Sequence, residues 1–277
     1  MENLELQKLA NKVRQGIVTA VYSAQSGHPG GSLSAADIFT YLYFAEMHVD
    51  PKNPRSPERD RFVLSKGHVA PGLYSTLALK GFFPFEDLKT LRKLGSYLQG
   101  HPCMQETPGI DISSGSLGQG LSAAVGMALS FALDQKSNRV YCLCGDGELE
   151  EGQIWEAAMF AGARHLDNLV VIVDNNNLQI DGSVEEVCSP YPIDEKFKAF
   201  NFNVINVNGH NFDELRNAFE EAKAYKGKPT AIIAKTVKGK GVSFMENQVG
   251  WHGKAPNEEL YQQAMAELKK EEQSLCQ

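Results

Sequence analysis

The chain has 277 residues, 42% of them hydrophobic and 22% charged, with a formal net charge of −7. A chain of this length and composition can bury a large core, and its acidic balance gives no basic footprint for nucleic acid. No apolar run of about 18 residues occurs, and the N-terminus MENLELQKLANKVRQ lacks the apolar centre of a signal peptide, so a cytoplasmic protein with no membrane span is expected.

Residues 1–135 read as helices broken by glycine-rich loops. LELQKLANKVRQGIVTAVYSAQ has helical periodicity and stops at SGHPGG. SAADIFTYLYFAEM begins with Ser34 as the expected N-cap, and APGLYSTLALKG is a short helix with Gly81 just past its end. GFFPFEDL gathers Phe82, Phe83 and Phe85, either as a surface for another chain or as a buried local cluster. LGQGLSAAVGMALSFALDQ is a longer apolar helix.

The pattern changes in a β-α-β core over residues 139–236. RVYCLC is a strand, EGQIWEAAMFAGARH a helix and NLVVIVDNN a buried strand; FNVINVN, NFDELRNAFEEAKAY and PTAIIAKT follow as strand, helix and strand. Such alternation predicts an α/β fold, a mostly parallel central sheet with helices on both faces. NEELYQQAMAELKKEEQ, residues 257–273, is an amphipathic charged helix. No Pro/Ser-rich linker divides the chain, so residues 1–277 read as one domain. The five cysteines are odd in number and suit no disulfide framework; Cys142 and Cys144 read as small core residues on one face of their strand.

Ligands of open parallel sheets bind outside the carboxyl ends of the strands. Two loops at such ends carry unusual residues, GDGELEEG and DNNNLQIDG. Each alone is readable as a turn. Together, at the ends of neighbouring strands, they supply a set of oxygen donors: the Asp146 carboxylate, the Asn176 amide carbonyl and the Leu178 backbone carbonyl. Magnesium takes about six oxygens, usually one or two carboxylates with phosphate and water completing the shell. Gly145 and Gly147 would let the backbone approach a bulky anion, and a helix starting after Gly147 would turn its positive end toward phosphate. Glu148 and Glu150 read as first-turn acids that suit the helix dipole. No G-x-x-x-x-G-K-[ST] loop occurs; VKGKGVSF lacks both its first glycine and the hydroxyl residue after lysine.

Of seven histidines, His28, His68, His101 and His252 sit beside glycine in loops, where imidazole can bond phosphate or hydroxyl oxygens and shuttle protons near neutral pH. His48 and His165 read as surface or cap residues, and His210 as part of the turn leading into a helix.

In order, SGHPGGSLS, LSKGHVAPGLY, GHP, SSGSLGQGLSAAVGMA, GDGELEEGQIWEA, DNNNLQIDG and WHGKAP resemble the N-terminal part of transketolase, a thiamine-diphosphate enzyme, from about residue 10 to residue 260. The resemblance implies that Asp146, Asn176 and the Leu178 carbonyl hold Mg2+, or another divalent cation such as Ca2+ or Mn2+. It implies that Gly115, Ser116, Leu117, Gly147, Asn176, His68 and His252 touch thiamine diphosphate and that Ile180 packs near its thiazolium. His28, His101 and His252 would face the sugar channel, and Glu151 would communicate with the catalytic glutamate of a facing domain. The activity implied is transfer of a two-carbon ketol unit from a ketose to an aldose, commonly as sugar phosphates. Transketolases carry a second domain that binds the aminopyrimidine ring and a third after it, and this sequence reads as having no counterpart of either. It therefore reads as half of a split transketolase, completed by a separate C-terminal subunit with the pyrimidine-binding domain, in a heterotetramer of two of each. Sister readings are one chain of a deoxyxylulose-phosphate synthase-like enzyme, a transketolase for an unusual sugar, or a cofactor-binding subunit without turnover.

Overall fold

The computed structural model describes residues 1–276. Helix α1 (Asn3–Ala24) is followed by the short helices α2 (Pro29–Ser34) and α3 (Ala36–Tyr41), strand β1 (Arg61–Leu64), α4 (Ala70–Lys80) and α5 (Gln119–Leu133). Then come β2 (Val140–Gly145), α6 (Gly152–Ala163), β3 (Leu169–Asn175), the short α7 (Val184–Cys188) and α8 (Ile193–Ala199), β4 (Asn203–Asn208), α9 (Phe212–Ala224), β5 (Thr230–Lys235) and α10 (Glu258–Ser274).

The five strands form one parallel sheet in the order β1-β2-β3-β5-β4. Alternate residues of each strand enter opposite cores, as the two-residue period of a strand requires. Tyr141, Leu143, Val170, Ile172 and Ile232 join one core with residues of α1, α3, α4 and α9. Val140, Cys142, Cys144, Val171, Val173 and Ile233 join the other with residues of α5, α6 and α8. Helices on both faces of a parallel sheet is the architecture expected from the strand–helix alternation. Cys142 and Cys144 are buried on one face, with their sulfurs 3.9 Å apart.

Strand β1 is not evident from the sequence. RFVL is four residues long between charged SPERD and the SKGH loop, too short to display a period. It pairs with β2, Arg61 opposite Val140 and Leu64 opposite Leu143, and this pairing brings the SKGH loop beside the G-D-G loop. The short α7 and α8 are likewise additions to the expected elements. Ser34 is not an N-cap: it ends α2, its hydroxyl donates to the Gly31 carbonyl and to Asp174, and α3 begins at Ala36 without a side-chain cap. The GFFPFEDL segment is a buried cluster, with Phe82 and Phe83 inside the core and Phe83 edge-on to Tyr97, so it is not an exposed docking surface.

Helix α10 is capped by Asn257, whose side chain accepts from the Leu260 N–H. It lays Ala264 and Leu268 against Val13 and Ile17 of α1. Asn11 of α1 donates to the Leu268 carbonyl at 3.0 Å, so one polar group of α1 reads the backbone of the last helix.

Candidate active site

The carboxyl ends of four strands converge on one pocket. Lys66 and His68 follow β1, Gly145, Asp146, Gly147 and Glu148 end or follow β2, Asn176, Leu178, Gln179 and Ile180 follow β3, and Lys238 follows β5. His28, Gly31, Gly115, Leu117 and His252 complete the lining of a cavity of about 230 Å3. Gly145 pairs with Asp174 across β2 and β3, so the loops carrying Asp146 and Asn176 start level with each other.

Asp146 is buried, and its carboxylate accepts from the backbone N–H groups of Gly147 and Asn177. Burial, with the neighbouring Asp174 carboxylate adding to it, raises its pKa to about 6. A buried carboxylate with this cost is stabilised by a cation. Asn176 and the Leu178 carbonyl line the same pocket, and together the three groups offer only hard oxygen donors, the chemistry that suits magnesium or calcium. Glycine supplies the room: a Cβ at Gly31 would stand 2.8 Å from Val69 Cγ1, and one at Gly147 3.2 Å from Gln179 Oε1.

Two lysines belong to the lining that the sequence did not single out. Lys66 donates to Asp174 Oδ2 at 2.6 Å, and both side chains are buried. Burial alone would raise the Asp174 pKa, but Lys66 and the hydroxyls of Ser34 and Thr236 outweigh it and hold the carboxyl below the ordinary range. Lys238 reaches the Leu178 carbonyl at 2.8 Å and His252 Nδ1 at 3.0 Å; burial, then the charge of Lys66, lowers its pKa to about 8. Both lysines line the pocket beside Asp146.

Glu148 is not a solvated first-turn acid. It is buried, and its carboxylate accepts from the Gly118 N–H at 2.9 Å, the Gly145 N–H at 3.0 Å and the Ser65 hydroxyl. It thereby ties the end of β1, the end of β2 and the start of α5 together behind the pocket. Glu150 accepts from Gln179 Nε2 at 3.1 Å. Residues Gly147–Glu150 form a single 3-10 turn, and the expected helix EGQIWEAAMFAGARH follows as α6 from Gly152.

The histidines gather as their loop positions imply. The His28 ring lies 5.3 Å from that of His68, 5.5 Å from that of His252 and 6.3 Å from that of His101; His68 stacks on His252 at 5.1 Å. Desolvation leads the depression of all four. It brings His28 to about 4, with Arg92 and His101 adding to it, and His252 to about 3, with Lys238 adding to it. His68 and His101 are lowered for the same reason. At neutral pH these rings are therefore uncharged, each with one donor and one acceptor nitrogen. His28 Nδ1 is buried without a hydrogen-bond partner, a polar atom that a bound group would satisfy.

Three residues named from the sequence stand outside the cavity itself. The His101 ring lies against Gly115, with 3.3 Å to a Cβ built there. Ser116 lines an adjoining hollow with Gln119 and Gly120. Glu151 is exposed at the start of α6. His210 sits just before α9 and bonds Asp37, which also pairs with Arg14, in a buried network away from the pocket. His48 and His165 are exposed.

The family description "Transketolase, thiamine diphosphate binding domain" matches residues 6–273. The chain belongs to this transketolase family. It is 49% identical over 270 residues to 6-deoxy-6-sulfo-D-fructose transketolase subunit SqwG of Clostridium sp. (strain MSTE9), covering 98% of each chain. It is 44% identical over 268 residues to one of the subunits of an apulose-4-phosphate transketolase from Phocaeicola vulgatus, covering 97% of this chain and 94% of that one. Among solved structures, the transketolase of Campylobacter jejuni superposes with a TM-score of 0.91 at 39% identity, over 97% of this chain and 43% of that one. The chain thus spans nearly the whole length of the two subunits but under half of that single-chain transketolase. Thiamine diphosphate with a divalent cation is the cofactor of the transketolase family, and the oxygen donors and lysines of the pocket fit it. Among the described residues no helix is long and apolar enough to cross a membrane.

Proposed function

We propose that this chain is the diphosphate-anchoring subunit of a transketolase that moves a two-carbon ketol unit from a ketose to an aldose. The observation that carries this reading is the convergence of Asp146, Asn176, the Leu178 carbonyl, Lys66, Lys238 and the neutral His28, His68 and His252 on one pocket at the strand ends. Asp146, Asn176 and the Leu178 carbonyl would hold Mg2+, or Ca2+ or Mn2+ in its place. Gly147, His68 and the Gly115–Ser116–Leu117 loop would receive the cofactor, and Ile180 would pack near its thiazolium. When bound, thiamine diphosphate supplies the electron sink for carbon–carbon cleavage. His28, His101 and His252 face the sugar, bond its hydroxyls and pass protons, which their neutral state permits. Glu151, at the exposed start of α6, would communicate with the catalytic glutamate of the facing domain.

The second half of the site comes from a separate subunit with the pyrimidine-binding domain, in an assembly of two of each. Two observations support this. The cavity, about 230 Å3, falls below the ~300–1,000 Å3 of pockets that enclose a ligand of cofactor size. The relatives matched along nearly their whole length are named as subunits. These relatives' names specify a sulfonated sugar and a sugar phosphate, so the substrate is read as an acidic sugar of one of these two kinds. The test is to reconstitute the pair and assay ketol transfer across phosphorylated, sulfonated and neutral donors and acceptors. Transfer between acidic sugars supports the reading; a complex that binds cofactor and never transfers would show a non-catalytic subunit.

A further inference from the structure

Arg92 stands at the outer rim of the histidine group. Its backbone adopts the left-handed conformation, with φ 59°, and its N–H donates to the Leu98 carbonyl at 2.9 Å. This turns the guanidinium toward two site loops. Nη1 donates to Ser26 Oγ at 2.8 Å, two residues before His28, and Nη2 reaches the Gly100 carbonyl at 3.4 Å, one residue before His101. A Cβ at position 100 would stand 3.0 Å from Arg92 Nε, so glycine there makes room for the guanidinium. The charge lies close enough to help depress both His28 and His101.

Three other arginines are spoken for. Arg14 pairs with Asp37, and Arg59 and Arg61 pair with Asp111. Arg92 is exposed, makes no ion pair among the described residues, and uses two of its five N–H donors on the neutral oxygens just named. An oriented guanidinium with free donors matches the oxygens of a phosphate or sulfonate.

We infer that Arg92 determines specificity, giving this chain's own cation to the acidic end of the sugar, a phosphate ester or a sulfonate, beyond the histidines that bond its hydroxyls. This rests on the transketolase reading.

The test uses the reconstituted complex with Arg92→Gln and Arg92→Lys, assayed with an aldose phosphate, a sulfonated aldose and neutral glycolaldehyde as acceptors. For the acid that the wild type uses, Arg92→Gln should raise KM about tenfold or more, the scale of one lost charge-assisted hydrogen bond. With that acid kcat should stay within about twofold, and both constants for glycolaldehyde should be unchanged, the pattern of a lost binding contact. Arg92→Lys should fall between, and thermal midpoints should match. Whichever acid shows the larger rise is the one read by Arg92. Equal losses for acidic and neutral acceptors would reduce Arg92 to a clamp between loops and overturn the inference, as would no change at all. In either case a transferring wild type leaves the transketolase reading standing. A wild-type complex that transfers to no acceptor overturns both.

Discussion

Lys66, in the pocket wall, and Asp174 form a buried ion pair, Nζ to Oδ2 at 2.6 Å, joining the loop after β1 to the end of β3. Removing one partner of such a pair strands the other charge in the interior, at a cost of about 3–5 kcal/mol. Lys66→Met should lower the unfolding free energy by that order, and adding Asp174→Leu should recover a large part of it. Urea unfolding of the three variants measures this. A loss under about 1 kcal/mol, typical of exposed pairs, would contradict the buried-pair account.

Glu148 should matter to the frame of the site. Its two oxygens accept from the Gly118 and Gly145 N–H groups and from Ser65. Glu148→Gln sets an amide donor against one of those donors. The expected cost is about 1–3 kcal/mol, with faster amide exchange at Gly118 and Gly145 than at strand residues such as Val171. Unchanged exchange at both glycines would show that the carboxylate does not hold these loops.

Asp146→Ala removes the one carboxylate of the proposed metal shell, and Asn176→Ala its amide oxygen. In the reconstituted complex each should raise half-saturating magnesium and thiamine diphosphate by about tenfold or more, as lost contacts to charged groups do, while circular dichroism stays unchanged. Binding read by calorimetry separates this from any effect on turnover. Wild-type affinity in both variants would remove the assignment.

The histidines give a pH dependence whose sign follows from their depressed pKa values. The unfolded chain takes up protons near pH 6.5, whereas His28 in the folded chain titrates at about 4. Between these values the unfolded state binds more protons, so stability falls as pH drops through this window. His28→Gln removes that titration. The variant should lose less stability than the wild type between pH 7 and pH 4.5, measured by denaturant unfolding of the cofactor-free chain. Parallel pH curves for the two would show that His28 titrates alike folded and unfolded.

Much of this site is legible because its chemistry sits in short loops after strongly apolar strands. GDG and DNNN declare themselves beside VYCLC and LVVIVDN, and β-α-β spacing brings them level. The lysines are not legible. Lys66 reads as a loop residue because β1, which carries it into the pocket, is only four residues long. Lys238 lies in a Lys/Gly-rich loop whose aim depends on the fold around it. Glu148 resembles any acid at a helix start; its burial depends on Ser65 and Gly118, distant in sequence. Ser34 satisfies the local rule for an N-cap, but a tertiary partner, Asp174, takes its hydroxyl. The phenylalanine cluster is ambiguous for the same reason, since only the placement of α1 and α4 decides what covers it.

If this chain anchors the cofactor as proposed, its active site is completed only by a pyrimidine-binding subunit. The most direct measurement is ketol transfer by the purified chain, with its fold confirmed, at saturating thiamine diphosphate and magnesium, alone and after addition of that partner. The account predicts no transfer from the chain alone and transfer on mixing, saturating at equal amounts of the two proteins. Full transfer by the chain alone, with no co-purifying protein, would contradict it.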